Sequence, residues 1–335
     1  MRPSQGIVLT QTPLRVSFAG GGTDLATYYD VDHGATFSTT IDKYVYVTVK
    51  RHGPVFDEKV RLNYSTSEGV GTIAAIRNDI ARECLQFLEI DPPIYVSVVS
   101  DLPESSGLGG SSAFAVGLLN ALHTFRGERV TAGQLADEAS RVEIEILAQP
   151  IGKQDQYAAA FGGLNLFAFH SGGDVTVQPH RGINGSVDAL FSRLLMLWTG
   201  HQRHSSSVLV EQMARTPDHR DPLGQMRQQA YELHALMTGE EPDLRRFGEI
   251  LDEGWRLKRG LASAVSNPEI DAWYAAGREA GAMGGKLCGA GGGGFLLFLA
   301  EPEMQGRVLA ALPGLRDVPV RYEAHGSRVL LAELD

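Results

Sequence analysis

The sequence is poor in cysteine and in positive charge, and each shortage excludes a class of partner or compartment. Cys84 and Cys288 are the two cysteines among 335 residues, and neither belongs to a Cys-x-x-Cys motif or a Cys/His cluster. This usage predicts reduced thiols in a reducing compartment. The formal net charge of -10 argues against nucleic acid or an anionic membrane as a partner, because both bind to a basic surface.

Long apolar runs are also missing. The longest, FLLFLA at 295–300 and LLMLW at 194–198, are too short to cross a bilayer. The start of the chain, MRPSQGIVLTQTPLR, lacks the apolar core of a secretory signal. We therefore expect a cytoplasmic protein without a membrane-spanning segment.

The order of predicted elements indicates an α+β protein with two lobes. Strands rich in β-branched and aromatic residues dominate the first third, as in KYVYVTVK at 43–50. Helical spacing dominates the second half. The helices predicted there cover 205–214, 221–239, 242–261 and 268–281. We expect a β-rich N-terminal lobe at 1–190 and a more helical C-terminal lobe at 191–335.

A glycine- and serine-rich loop, PESSGLGGSS at 103–112, runs directly into an apolar helix predicted at 110–125. Glycine lets backbone N–H groups approach a ligand, and the start of a helix adds unpaired N–H groups and a positive dipole end. Ser111 and Ser112 stand where the helix should begin and can cap it. These features predict an anion site, typically for phosphate, with a simple glycine turn and N-cap as the equal alternative. The loop is not a Walker A sequence, and the GxGxxG match at 289–294 leads into a strand-like segment.

Two further glycine-rich stretches each adjoin a predicted strand. PLRVSFAGGGTDL at 13–25 is a strand that ends in three glycines, followed by Thr23 and Asp24. GGKLCGAGGGGFLLF at 284–298 is a glycine loop before a strand. A single run of three glycines usually marks a turn. Three such loops, one of them carrying an aspartate, predict three backbone segments that pack around one ligand.

In order, these three stretches resemble the three motifs of the GHMP kinases, the family of galactokinase, homoserine kinase and mevalonate kinase. The middle motif of that family reads Pro-x-x-x-Gly-Leu-Gly-Ser-Ser-Ala, and Gly110 replaces its first serine here. The resemblance spans essentially the whole chain. It implies the two-lobed GHMP kinase fold, with an N-terminal lobe of the ribosomal-protein-like β-α-β type and a ferredoxin-like sheet in the C-terminal lobe. It also implies ATP and Mg²⁺ as cofactors.

The middle motif is the one that the resemblance assigns to ATP. The residues expected to bind the nucleotide are Pro103, Ser106, Gly107, Leu108, Gly109, Gly110, Ser111 and Ser112. Ser111 also matches the family's magnesium-binding hydroxyl.

A carboxylate should complete this metal site. Glu143 is the candidate, because it lies beside the apolar arc of a helix predicted at 133–148, where an unpaired buried charge is costly. The residues of that arc are Leu135, Ala139, Val142 and Ile146. The alternative is that Glu143 pairs with a structural arginine.

Asp155, in GKQDQYAAAFGG at 152–163, matches the family's catalytic aspartate, which accepts or orients the proton of the acceptor hydroxyl. Arg15 matches the Arg or Lys of the first motif. Because arginine does not give up its proton, its implied role is to keep Asp155 ionised and to stabilise negative charge at the attacking oxygen. Taken alone, an aspartate between two glutamines is more often a capping or hydrogen-bonding residue.

The remaining expectations concern the acceptor. The acceptor-binding residues implied by the first and third motifs are Gly22, Thr23, Asp24, Gly289, Ala290 and Gly291. A phosphate on the acceptor would need cations, for which Arg203 is the first candidate and Lys153 and Lys286 follow. For Arg203, a surface cation before a helix is the equal alternative.

Within the family, the similarity is strongest to the sugar 1-kinase branch. The stretches shared with kinases of D-glycero-D-manno-heptose 7-phosphate are TPLRVSFAGGGTDL, TTIDKYVYV, GKQDQYAAAFGG and LWTGHQRHSS, several of which L-fucokinases also contain. The resemblance implies ATP-dependent phosphorylation of the anomeric hydroxyl of this heptose phosphate, giving the 1,7-bisphosphate, for capsule or lipopolysaccharide synthesis. An unphosphorylated sugar such as fucose is the alternative acceptor, and a homodimer is left open. A sugar- or ATP-sensing relative without catalysis is disfavoured, because the catalytic and metal positions named above are all filled.

Overall fold

The structure is a computed structural model, and it describes residues 6–53, 55–180, 185–202, 206–239 and 241–334. Its strands, in chain order, are β1 (Ile7–Ala19), β2 (Gly34–Arg51), β3 (Val60–Asn63), β4 (Ser67–Val70), β5 (Ile94–Ser100), β6 (Leu164–Phe169), β7 (Val175–Pro179), β8 (Leu194–Trp198), β9 (Gly284–Leu287), β10 (Phe295–Leu299), β11 (Arg316–Asp317) and β12 (Arg328–Glu333). Its helices are α1 (Ala26–Tyr29), α2 (Asp79–Phe87), α3 (Gly110–Phe125), α4 (Ala132–Ser140), α5 (Gln154–Phe161), α6 (Ser186–Phe191), α7 (Ser206–Arg215), α8 (Arg220–Thr238), α9 (Leu244–Arg259), α10 (Pro268–Glu279) and α11 (Pro302–Ala311). A π-helical turn, Arg141–Ile146, continues α4.

The first sheet is built around β1 and β2. Its strand order is β12-β1-β2-β5-β3-β4, and β6 and β7 continue from β2. β2 reaches three partners, because residues 34–39 pair with β6, residues 45–51 pair with β5, and β1 lies along its other edge. β3 runs parallel to β5 and α2 lies between them in the chain, as a β-α-β unit requires.

A second, antiparallel sheet has the order β11-β8-β10-β9. Numbered along the chain, its strands lie in the order 4-1-3-2, with helices between the first and second and between the third and fourth, which is the ferredoxin-like arrangement. The two sheets confirm the predicted mixed α+β fold. β12, however, pairs with β1 in the first sheet, although a boundary at 191 would assign it to the second lobe. The division at 190/191 stays a prediction.

The apolar runs that were too short for a membrane are core strands. LLMLW is β8 and FLLFLA contains β10, and the two pair with each other. No helix in the described part of the chain is both long and apolar enough to span a membrane. Cys84 and Cys288 are free and buried.

α3 holds the glycine- and serine-rich loop at 103–112, which we call the phosphate loop after the predicted anion site. The helix is buried on nearly all sides, as its apolar sequence predicts. It packs on β1 and β2. Gly117 allows this close approach, since a β carbon there would lie 2.6 Å from the Thr12 hydroxyl oxygen. Because dense packing holds the helix in place, its N-terminus is a rigid platform for the loop that precedes it.

A buried histidine ties the other end of α3 to α4. His123 Nδ1 lies 2.6 Å from a Glu128 carboxylate oxygen and His123 Nε2 lies 2.7 Å from a Glu138 carboxylate oxygen. The hydrogen bond with Glu138, followed by that with Glu128, raises the pKa of His123 against the effect of burial. The imidazolium can donate to both carboxylates, so the protonated form stabilises this junction.

Candidate active site

The three glycine-rich stretches meet in space. The backbone N–H of Arg15 donates to the Leu108 carbonyl at 3.0 Å, and the Lys286 ammonium donates to the Phe18 carbonyl at 3.0 Å. A β carbon added to Gly289 would lie 2.4 Å from the Cα of Gly107. The first, middle and third stretches therefore border one site.

The phosphate loop enters α3 through glycines with positive φ. Gly107 has φ +83° and Gly109 has φ +74°, and Gly109 is the N-cap residue of α3 without a side-chain cap. The predicted serine cap is wrong, because the helix already begins at Gly110, which makes Ser111 and Ser112 its second and third residues. No side chain of the described residues caps the N–H groups of this first turn, so these groups and the positive helix end remain available to an anion.

Side chains of the loop differ in access. Pro103 and Ser111 are exposed, whereas Ser106 and Ser112 are buried. A β carbon added to Gly110 would meet no atom within 4 Å. The serine that the family has at this position would therefore fit, and its absence leaves open space beside the loop.

Arg15 and Asp155 form a two-pronged ion pair beside the loop. Arg15 Nε and Nη2 donate to the two carboxylate oxygens of Asp155, each at 2.7 Å, and Nη1 donates to the Gly107 carbonyl at 2.7 Å. The side chain of Arg15 is 6% exposed and that of Asp155 is 23% exposed. Asp155 is the second residue of α5, so a helix N-terminus also faces its negative charge. The carboxylate is held rigidly, yet it is accessible to a reactant.

Asp24 lies close to this ion pair and is almost completely buried. Its carboxylate accepts from the backbone N–H of Gly22 at 2.8 Å and of Gln154 at 3.3 Å. Burial, with Asp155 nearby, raises the pKa of Asp24 to about 6. Gly152 makes room for it, since a β carbon there would lie 2.0 Å from an Asp24 oxygen. The predicted acceptor aspartate therefore adjoins the predicted base.

Thr23 has a structural role instead of a free hydroxyl. It is 0% exposed. Its hydroxyl donates to the Gly20 and Ala35 carbonyls and accepts from the Ala35 N–H. These bonds fix the turn that presents Asp24, so the predicted direct contact between the Thr23 side chain and an acceptor does not match the structure.

Glu143 lies on the π-helical turn and is 0% exposed. Its partner is glutamine, because Gln156 Nε2 donates to Glu143 Oε2 at 2.7 Å, and the alternative of a structural arginine is wrong. Burial raises the pKa of Glu143 to about 7, and the hydroxyls of Ser112 and Ser111 partly offset that effect. The Ser112 hydroxyl is thus close, but it forms no hydrogen bond of normal geometry.

The donor set around Glu143 fits a divalent cation. Within the described residues, Glu143 Oε1 and the Ser112 hydroxyl are buried without a hydrogen-bond partner. Unpartnered buried oxygens are costly unless a ligand satisfies them. In the described ranges no three or more His, Cys, Asp or Glu side chains form a metal cluster. Such a site matches Mg²⁺, which usually takes one or two protein oxygens and completes its shell with phosphates and water.

Two buried lysines complete the site. Lys286 is 6% exposed, and burial, with Lys258 nearby, lowers its pKa to about 7. Lys258, on α9, was missed from the sequence; it donates to the Gly289 carbonyl. Its signal was present, because it continues the stripe of buried residues along α9 that includes Phe247, Leu251 and Trp255.

The other residues predicted to bind the phosphoryl acceptor differ in their burial and contacts. Gly289 and Ala290 are half-buried in the third loop, and the backbone of Gly291 is pressed against Val265. The Lys153 ammonium donates to the Gly173 carbonyl at 2.7 Å and lies 5.8 Å from the centre of the Tyr29 ring. Arg203 lies outside the described residues.

Comparisons with known proteins identify relatives of this chain. The GHMP kinases N terminal domain matches residues 72–163, and the GHMP kinases C terminal domain matches residues 230–314. A D-glycero-alpha-D-manno-heptose 7-phosphate kinase of Campylobacter jejuni is 30% identical over 91% of this chain and 93% of its own. A mevalonate kinase of Methanothermobacter thermautotrophicus is 27% identical over 79% of this chain and 85% of its own.

A solved structure shows the same fold. The crystal structure of a D-glycero-D-manno-heptose 1-phosphate kinase from Bacteroides thetaiotaomicron superposes with a TM-score of 0.77 at 25% identity, covering 97% of this chain and 99% of that one. Both matched halves, the length of the alignments and the shared fold lead to one conclusion. The chain belongs to the GHMP kinase family, whose members are phosphotransferases that use ATP and act on hydroxyl groups.

Proposed function

We propose that this protein transfers the γ-phosphoryl group of ATP to the anomeric hydroxyl of D-glycero-D-manno-heptose 7-phosphate and releases the 1,7-bisphosphate and ADP. The observation that carries the proposal is the Arg15–Asp155 ion pair held against the phosphate loop. The similarity to a heptose 7-phosphate kinase over 91% of the chain supports the choice of acceptor.

Asp155 is the base in this proposal. The acceptor hydroxyl gives its proton to the Asp155 carboxylate as its oxygen bonds to phosphorus and ADP leaves. Each carboxylate oxygen has a lone pair left after its bond to Arg15, so the ion pair orients the base without blocking it. Arg15, which is 6% exposed, keeps a positive charge beside the attacking oxygen and stabilises the negative charge that develops there.

Glu143 would hold a magnesium ion together with Ser111, the predicted ligand, and the unpartnered hydroxyl of Ser112. When bound, the ion neutralises the nucleotide phosphates. The unpartnered Oε1 of Glu143 supports this assignment. Removal of divalent cations should abolish turnover, and titration with Mg²⁺, Mn²⁺ and Ca²⁺ measures which ion restores it.

Asp24 would fix the sugar. A buried carboxylate whose pKa is raised to about 6 gains from a partner that donates hydrogen bonds, and sugar hydroxyls are such donors. The half-buried backbone at Gly289 and Ala290 would border the same acceptor.

A cytoplasmic location and a homodimer are also proposals. The two buried, free cysteines support a reducing compartment. Sedimentation velocity measures the oligomeric state directly.

A coupled assay of ADP release tests the function. The acceptors are heptose 7-phosphate as each anomer, fucose, galactose, mannose, homoserine and mevalonate, and NMR identifies the phosphorylated oxygen. We expect the highest kcat/KM with heptose 7-phosphate and a product that carries the new phosphate at C1. A preference for unphosphorylated fucose would favour the L-fucokinase alternative, and ATP binding without turnover on any acceptor would favour the sensor.

A further inference from the structure

Lys258 is a buried cation that none of the roles above uses. It is 9% exposed and lies on α9, far in sequence from the phosphate loop. Its ammonium donates to the Gly289 carbonyl, which lies in the third glycine-rich loop.

The Lys258 ammonium lies where the phosphate loop, which contains Gly107, contacts the third glycine-rich loop, which contains Gly289. A β carbon added to Gly289 would lie 2.4 Å from Gly107 Cα and 2.9 Å from the Gly107 carbonyl oxygen. Arg15 holds that same Gly107 carbonyl. Lys258 therefore lies beside the phosphate loop and on the side of the predicted acceptor residues.

The charges around Lys258 do not balance it. The charged neighbours with the largest effects on it include Arg15, Asp24 and Asp155, with the Cys288 thiol close by, and Lys286 is a second lysine in the same cluster. Asp155 already neutralises Arg15 through two hydrogen bonds. Asp24 alone then faces two lysines, and its own pKa is raised to about 6.

The ammonium also has unused donors. It carries three N–H groups, and within the described residues the Gly289 carbonyl is its sole hydrogen-bond partner. Burial, with Arg15 nearby, lowers the pKa of Lys258 to about 8. A buried cation in this state is stabilised by an anion that supplies both charge and acceptor atoms.

We propose that Lys258 is a phosphate-binding residue, which contacts a phosphate group where the phosphate loop meets the third loop. This inference rests on the proposed function, because that function brings two phosphates to the site. One is the phosphate that the acceptor already carries, and the other is the phosphoryl group in transfer.

Binding of inorganic phosphate, without nucleotide or acceptor, tests the site independently of activity. Wild type, Lys258→Met and Lys50→Met are unfolded in urea over a series of phosphate concentrations, with chloride as the control at equal ionic strength. Lys50 is the matched control because it lies at the far end of β2, paired with Ile7 and Tyr95. We expect phosphate to stabilise wild type and Lys50→Met, and its affinity for Lys258→Met to be about tenfold weaker or more. Equal stabilisation of all three proteins would overturn the proposal.

Steady-state kinetics then distinguish the two sources of phosphate. If Lys258 binds the acceptor's phosphate, Lys258→Met raises the KM for heptose 7-phosphate about tenfold or more and leaves kcat and the KM for ATP unchanged. If it binds the phosphoryl group in transfer, kcat falls and both KM values stay unchanged. A variant with wild-type kinetics would contradict both.

A pH series on wild type covers the case in which Lys258→Met does not fold. Phosphate is a dianion above about pH 8, so weaker binding at higher pH reports deprotonation of its cationic partners. We expect the phosphate affinity to fall as the pH rises past about 8, where Lys258 loses its proton. Constant affinity across that interval would refute the assignment. Failure of the acceptor screen with intact phosphate binding would reject the proposed function and leave the Lys258 site standing.

Discussion

Replacement of the buried carboxylate Glu143 by an amide should stabilise the metal-free protein and weaken its binding of Mg²⁺. The substitution Glu143→Gln keeps the size of the side chain and deletes a charge that is 0% exposed. Its neighbour can adapt, because the Oε1 of Gln156 is buried without a partner and can accept from the new amide once the Gln156 amide turns over.

The magnitude follows from proton linkage. Folding raises the pKa of Glu143 from its ordinary 4.5 to about 7, so the folded protein binds this proton more tightly than the unfolded chain does. The free energy of unfolding of wild type therefore falls as the pH rises from 4.5 to 7, and the full cost persists above pH 7. At about 1.4 kcal/mol per pH unit, that cost is about 3 kcal/mol.

Urea unfolding in EDTA between about pH 4.5 and pH 8 measures this difference. Glu143→Gln should equal wild type at the acid end and exceed it by up to about 3 kcal/mol above neutrality, whereas its apparent Mg²⁺ affinity in the kinase assay should fall at least about tenfold. Glu145→Gln is the control on the same turn, because that side chain is 70% exposed and should change neither quantity. A variant less stable than wild type at pH 8, with unchanged Mg²⁺ dependence, would refute the reasoning.

Three further predictions concern the base, the histidine junction and the phosphate loop. Asp155→Asn should lower kcat about 100- to 10,000-fold with little change in the KM for ATP, and undiminished turnover would exclude it as the base. The carboxylate partners of His123 raise its pKa, so their contribution to stability is complete below the ordinary pKa of 6.5 and is lost as the pH rises through the raised value. The stability deficit of His123→Gln, measured by urea unfolding, should therefore shrink from pH 6 to pH 9. A constant deficit would reject the linkage. Gly110→Ser should raise the free energy of unfolding by about 0.5 kcal/mol, since serine is the better helix former and the space is open. Gly107→Ser should lower it, because the added β carbon would lie 2.7 Å from the Cys288 carbonyl oxygen. A destabilised Gly110→Ser in thermal unfolding would contradict this reasoning.

Much of the fold follows from local patterns. The apolar helix at 110–125 has the predicted bounds, because it is a fully buried unit with clear ends. The N-terminal half of β2 was missed. Its residues 34–42 bury threonine and serine in the first sheet, so the alternation of apolar and polar residues that marks a half-buried strand is absent there.

The π-helical turn shows where helical periodicity fails. Regular spacing places Ile146 in the same apolar arc as Val142, yet Ile146 is 46% exposed and Val142 is 0% exposed. The wider turn rotates the residues after it, and the pattern carries no signal of such a change. Glu143 comes before most of that rotation, so it stays on the buried side of the helix. Its predicted burial is confirmed.

The site residues that lie in sequence motifs could be predicted, whereas the relations that depend on tertiary contacts could not. The contact between Arg15 and Asp155, 140 positions apart, could be expected only from the resemblance. The occupied hydroxyl of Thr23 depends on Ala35 in the neighbouring strand, and Lys258 reaches the third loop from a distant helix. Neither relation is encoded in the spacing of nearby residues.

Main chain meets main chain where Gly107 touches Gly289, and no side chain separates the two halves of the cleft there. Rotamer changes therefore cannot widen the gap for an entering molecule. A wider gap requires the two loops either to move together as one rigid body or to lose their contact with each other. In the proposed function these loops border the nucleotide and the acceptor, so a displacement of one loop is transmitted to the other.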